Sequence, residues 1–173
     1  DFRRLIHIYS AHGKRNTTPP MALPLRSRGA GRRVLVLQFF KDGNSSEVKA
    51  LKNFATVDVV EQTRRFGFSW TLSEEELREA KAYYSSLLED AMAKSKEYDL
   101  LVLDEAMSAC TTGMIQEERL LELLREKPDA LEVVMTGRNP SQALMDQADY
   151  VTEMRKIKHP FDQGVPARLG VEF

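Results

Sequence analysis

The chain is 173 residues long, the size of one ordinary domain, with 42% hydrophobic and 29% charged residues, so a large multidomain machine is excluded. No apolar run approaches the roughly 20 residues of a membrane helix, and Cys110, the one cysteine, excludes an intramolecular disulfide and suits a reducing compartment. The formal net charge of −1 conceals an asymmetry: residues 1–33 hold eight Lys/Arg against one acid, whereas residues 34–173 hold 17 basic and 25 acidic residues, a charge of −8. The basic end predicts a polyanionic partner, either nucleic acid or the phosphates of a nucleotide.

Asp1-Phe2-Arg3-Arg4-Leu5-Ile6 runs straight into a strand-like pattern, without the regions of a signal peptide, and a cytoplasmic protein is expected. The first predicted strand, Leu5–Tyr9, leads into Ser10-Ala11-His12-Gly13-Lys14-Arg15-Asn16-Thr17-Thr18, where a phosphate-binding loop would leave a strand and enter a helix. Such a loop needs glycines for backbone approach, a lysine for the outer phosphates and a hydroxyl for magnesium. Taken alone, these residues are more simply read as a basic surface turn after an edge strand.

Val34–Phe39 and Val57–Val60 are the next apolar runs short enough for buried strands. Gly67-Phe68-Ser69-Trp70 follows, in a segment too polar and glycine-broken for a core strand. Two aromatics spaced by two share one side of an extended segment and offer a flat apolar surface to a planar ligand; the plainer reading is that they plug the core. Ser73 and Glu76 form a capping box, and Leu77, Ala80, Tyr84, Leu87, Leu88 and Ala91 continue it at helical spacing.

Leu100–Leu103 predicts a strand that ends in Asp104-Glu105. Paired acids at a strand's carboxyl end are costly to desolvate unless a cation or hydrogen bonds satisfy them, although an Asp there also caps a following helix. A second helix is expected over about 114–126, with Pro128 beyond its end, then a strand over Leu131–Met135 followed by Thr136-Gly137-Arg138, and a short helix after Pro140. Arg138 either holds an anionic or amide-bearing ligand at that carboxyl end or is a surface arginine. Tyr150–Met154 completes the set. Strands alternating with helices predict a doubly wound, mostly parallel α/β sheet with its ligands at the carboxyl ends of the strands.

Tyr9–Thr18, Val34–Phe39 with Gln38, Gly67–Trp70, Leu100–Glu105, Thr136–Arg138, Val151–Arg155 and Lys156–Phe173, with its Lys-His-Pro-Phe-Asp-Gln-Gly-Val core, together resemble the P-loop-type ATP:cob(I)alamin (corrinoid) adenosyltransferases over nearly the whole chain. The resemblance implies a P-loop NTPase or RecA-like three-layer sandwich, with residues 1–173 forming a single domain. It implies transfer of the 5′-deoxyadenosyl group of ATP to the cobalt of a reduced corrinoid such as cob(I)alamin, with release of triphosphate. On that pattern Ala11, His12, Gly13, Lys14, Arg15, Asn16, Thr17 and Thr18 line the phosphates, and Thr17 with Glu105 holds Mg2+. Phe68 and Trp70 displace the lower axial ligand of cob(II)alamin, and Arg138 lies on the corrinoid side. His159 and Asp162 belong to the terminal block without an assigned step. The implied partners are ATP, the corrinoid, an electron donor such as a reduced flavoprotein and a second copy in a homodimer, with no nucleic acid and no membrane.

The loop departs from the family pattern Gly-Asn-Gly-Lys-Gly-Lys-Thr-Thr at Ala11, His12, Arg15 and Asn16, and so lacks the phosphate lysine. Pro19, Pro20 and Pro24 disfavour a helix where the family has one, and residues 11–24 are expected to be irregular without ligand. A non-catalytic corrinoid-binding relative is therefore the second reading. A recombinase-like ATPase on nucleic acid is the third, prompted by the basic first 33 residues.

Overall fold

The computed structural model describes residues 4–11, 30–40, 53, 56–158 and 163–166. Six strands form one sheet in the order β3-β2-β4-β5-β1-β6, every pairing parallel. They are β1 (Ile6–Ala11), β2 (Val34–Gln38), β3 (Val57–Val59), β4 (Leu100–Asp104), β5 (Glu132–Gly137) and β6 (Tyr150–Met154). Parallel strands covered on both faces read as unbroken apolar runs, and β2 and β4 are buried at every position. β6 departs from the expected buried strand. It is the sheet edge, and Tyr150 to Glu153 are exposed.

The helices among the described residues are α1 (Glu74–Lys94), α2 (Ala106–Thr111), α3 (Glu117–Arg125) and α4 (Gln142–Gln147). α1 begins at the expected capping box: Ser73 Oγ accepts from Glu76 N at 3.2 Å, while Ser73 N donates to Glu76 Oε1 at 3.3 Å. Its inner face, Ala80, Tyr84, Leu87, Leu88, Ala91 and Met92, packs in one cluster with Ile8, Leu37, Leu103 and Met135 of the sheet and with Met107, Leu120 and Leu144 of the other helices. The opposite face of the sheet, Val34, Val36, Leu100, Val102 and Val134, is equally buried.

The helix expected over 114–126 begins later, at Glu117. Gly113, at φ 73°, closes α2 in the left-handed region that glycine adopts without strain, and Met114 N and Ile115 N both donate back to Ala109 O. Met114 and Ile115 are thus buried plugs of a turn rather than one face of a helix.

At the amino ends of the strands, Lys127 is buried and its Nζ donates to Arg4 O at 2.8 Å, Leu131 O at 2.8 Å and Pro128 O at 3.3 Å. One ammonium thereby ties the start of β1 to the turn before β5. Lys127→Met keeps the stem but removes the ammonium from Arg4 O and Leu131 O, and leaves Pro128 O with the Leu131 N–H. It is expected to lower stability by about 2–4 kcal/mol, read as the midpoint of a urea transition, and an unchanged midpoint would show that water replaces the ammonium without loss.

Candidate active site at the carboxyl edge of the sheet

An all-parallel sheet brings every strand's carboxyl end to one edge, so the residues leaving β1, β2, β4 and β5 share a rim. Three non-glycine residues on that rim adopt left-handed backbone: Phe40 at φ 65° after β2, Glu105 at 63° after β4 and Asn139 at 49° after β5. Such conformations cost on the order of 1–3 kcal/mol each and concentrate where a fold positions ligand-binding groups. Gly137 ends β5 for a different reason: a Cβ there would lie 2.6 Å from Met107 Cβ, so glycine lets the start of α2 pass close over the strand.

The two acids of Asp104-Glu105 have separate environments. Asp104 is 1% exposed and accepts from two neighbouring strands: Thr136 Oγ1 donates to its Oδ1 at 2.6 Å and Gln38 Nε2 to its Oδ2 at 3.1 Å. It does not cap the next helix. Glu105 occupies that N-cap position, with no capping bond from its side chain. The Glu105 carboxylate is half-buried and takes a bond from Ser108 Oγ at 3.2 Å, and its backbone N donates to Thr136 Oγ1 at 3.0 Å. Gln38 Oε1 is a buried acceptor without a hydrogen-bond partner among the described residues.

Phe68 and Trp70 are 68% and 79% exposed, which rules out a role as core plugs. Their rings stack on each other, centroids 4.7 Å apart and 5° from parallel. The segment is not extended: Ser69–Thr71 forms a single 3-10 turn, in which Thr71 N and Oγ1 both donate to Phe68 O at 2.8 and 2.7 Å. That turn brings residues spaced by two onto one side. The chain upstream of this turn is bonded to β2: Val60 N donates to Val36 O and Gln62 Nε2 to Gln38 O. A cleft of about 530 Å³ lies beside it, lined by Phe40, Gln62, Arg64, Arg65, Phe66 and Tyr84 among others. Arg64 stands over the Phe66 ring at 4.6 Å and pairs with Glu79 at 2.9 Å.

Of the residues singled out from the sequence, Ala11 is the last residue of β1, regular strand rather than irregular loop, and Arg138 is exposed just beyond β5. Because β5 lies between β1 and β4, with Ser10 paired to Gly137, the structure brings Ala11, Arg138 and Glu105 to three adjacent strand ends. His12, Gly13, Lys14, Arg15, Asn16, Thr17 and Thr18, like His159 and Asp162, lie outside the described residues. The locking of Asp104 by Thr136 and Gln38 was not visible in the sequence, nor was the arginine-rimmed cleft, for which Arg64-Arg65 after a strand end was the available signal.

Cys110, on α2, faces a smaller recess with Glu117 and Asn139. Burial, and then the carboxylates of Glu117 and Glu118, push its thiol up to about 12. Iodoacetamide at pH 8 is expected to label the native protein at least about a hundredfold more slowly than the urea-unfolded chain; equal rates would contradict that environment.

The parallel sheet, with Asp104-Glu105 at the carboxyl end of β4 one strand removed from β1, has a P-loop NTPase-like α/β fold. The fold is similar to that of EssC (ATPases 2 and 3) from Geobacillus thermodenitrificans, with a TM-score of 0.54 at 14% identity, covering 98% of this chain and 36% of that one. The model of the ATP:corrinoid adenosyltransferase BtuR/CobO/CobP family matches residues 3–173, and the chain belongs to that family of transferases. It is 30% identical over 173 residues to a corrinoid adenosyltransferase of Pseudomonas aeruginosa, covering 100% of this chain and 85% of that one. It is 32% identical over 181 residues to one of Sinorhizobium sp (100% and 82%) and 29% identical over 178 residues to one of Escherichia coli K12 (100% and 87%). No helix among the described residues is long and apolar enough to cross a membrane.

Proposed function

We propose that residues 1–173 form a single domain that transfers the 5′-deoxyadenosyl group of ATP to the cobalt of a reduced corrinoid, cob(I)alamin or a close analogue. The reduced cobalt donates an electron pair to C5′, the C5′–O bond breaks, and that bonding pair leaves with triphosphate. The observation that supports this reading is the exposed, stacked Phe68–Trp70 pair, a few residues beyond Gln62, whose side chain binds the end of β2 on the same rim as Glu105. A flat apolar surface of this kind has no packing role. It suits the face of a corrin ring, and by replacing a donor on cobalt it would favour the lower charge state.

On this reading residues 11–18 bind the phosphates, and Arg138 meets the corrinoid or its amide groups just beyond β5. Glu105 with Thr17 would hold Mg2+. The donor set suits that ion, because carboxylate and hydroxyl oxygens match its preference and it commonly takes only one or two carboxylates beside phosphates and water. Magnesium when bound supplies charge neutralisation along the triphosphate. An electron donor such as a reduced flavoprotein, a homodimeric assembly and a cytoplasmic location complete the proposal.

The second reading, a corrinoid-binding relative without turnover, is favoured by Arg15 and Asn16 in place of the loop's glycine and lysine. Anaerobic incubation of chemically reduced cobalamin with the protein and magnesium-ATP, followed by absorbance, separates them. Conversion to the adenosylated form supports the first; corrinoid binding without conversion supports the second.

A further inference from the structure

Thr136 lies where three strand ends meet. A threonine hydroxyl has one proton to donate and lone pairs to accept. Here it accepts the Glu105 N–H at 3.0 Å, so its proton goes to Asp104 Oδ1 at 2.6 Å. Asp104 Oδ2 is held from the other side by Gln38 Nε2 at 3.1 Å. All three side chains are nearly sealed from solvent, at 4%, 1% and 2% exposure. The bracket therefore runs across β5, β4 and β2 by side-chain bonds alone, beyond the sheet's own ladder.

The residue this bracket fixes is Glu105. Its backbone is in the left-handed region, at φ 63° and ψ 29°, which a glutamate does not adopt without compensation. The compensation is visible: the amide is tied to Thr136, the carbonyl accepts from Ala109 N at 3.1 Å, and the carboxylate takes Ser108 Oγ. Gly137 allows α2 to sit tightly against the end of β5, which keeps the Ala106–Ala109 turn in register with the hydroxyl.

We propose that Thr136 is a positioning residue: its hydroxyl holds Glu105 in the left-handed turn from which the carboxylate reaches the magnesium-nucleotide. Asp104 is the buried anchor of that hydroxyl rather than a second ligand of equal standing. This rests on the reading of Glu105 as the group that meets magnesium-ATP, and it adds the residue on a neighbouring strand through which Glu105 is set.

The test compares Thr136→Val, which keeps shape and loses the hydroxyl, with Thr136→Ser, which keeps the hydroxyl. Thr136→Ala is the second deletion, so a folding failure of one leaves the other to be measured. Magnesium-ATP affinity is read by calorimetry at several magnesium concentrations, cobalamin affinity by absorbance, and exchange at the Glu105 amide by NMR. The expected result is a loss of magnesium-ATP affinity of at least about tenfold in Val or Ala, faster exchange at the Glu105 amide, recovery to within about twofold in Ser, and unchanged cobalamin binding. In the Glu105→Gln background the Val change should add almost nothing, because the two act as one unit. Affinity unchanged in Val, equal loss in Val and Ser, or parallel loss of cobalamin binding would overturn the proposal, as would absence of magnesium-ATP binding by the unaltered protein. A protein that binds magnesium-ATP and shows the Val/Ser contrast yet forms no adenosylated corrinoid would instead overturn the functional reading alone.

Discussion

Trp70→Ala is expected to slow adenosylation that starts from cob(II)alamin at least about tenfold more than adenosylation that starts from chemically reduced cob(I)alamin, a difference of about 1.4 kcal/mol in barrier. The indole contributes the more exposed half of the Phe68–Trp70 stack. Removing it leaves a single ring and lets solvent or the displaced axial donor back to the cobalt face. Once the cobalt is reduced, that donor no longer has to be displaced, so the second starting state is far less affected. Folding is not expected to suffer: a residue 79% exposed contributes little packing, and an exposed substitution of this kind stays within about 0.5 kcal/mol. Equal losses from both starting states, with an unchanged thermal transition, would remove the aromatic pair from the reduction step.

The second large effect is expected from residues 11–18, which depart from the family pattern at Ala11, His12, Arg15 and Asn16. On the proposed function, Asn16 in the lysine position forgoes one charge-assisted phosphate contact, worth on the order of 1.5–3 kcal/mol, or about tenfold to a hundredfold in affinity. Lys14 and Arg15 offer charge nearby, but Arg15 occupies the place of the glycine that lets backbone N–H groups approach. Arg15→Gly together with Asn16→Lys is expected to tighten magnesium-ATP binding at least about tenfold in a calorimetric titration. Equal affinities of the two proteins would show that neighbouring cations already serve in place of the missing lysine.

What the sequence made legible follows from how each element is encoded. Leu100–Leu103 and Val34–Phe39 could be read as strands because both of their faces are covered, and Glu74–Lys94 because Ser73 and Glu76 mark its start. α2 escaped notice: Ala106–Thr111 is short, built of small residues and Met107, and opened by a glutamate that makes no cap. Met114 and Ile115 carried the periodicity of a helix while serving a turn. At the site, the residue types were visible but their partners were not. Thr136, Asp104 and Gln38 come from strands far apart in the chain, and only the order β2-β4-β5 makes them neighbours. Asp104 read as an acid beside Glu105, and its carboxylate is held by Thr136 and Gln38 instead. Phe68 and Trp70 were recognisable from an aromatic pair in polar surroundings, although a tight turn rather than an extended strand aligns them.

Adenosyl transfer and phosphate hydrolysis differ in the stoichiometry of their products. Anaerobic single-turnover reactions with cob(I)alamin and magnesium-ATP, quenched and resolved by phosphorus NMR and by corrinoid chromatography, count both products at once. For adenosyl transfer, one triphosphate is expected for each cobalt–carbon bond formed, with no product when the corrinoid is omitted. Formation of ADP and phosphate without an adenosylated corrinoid would contradict it.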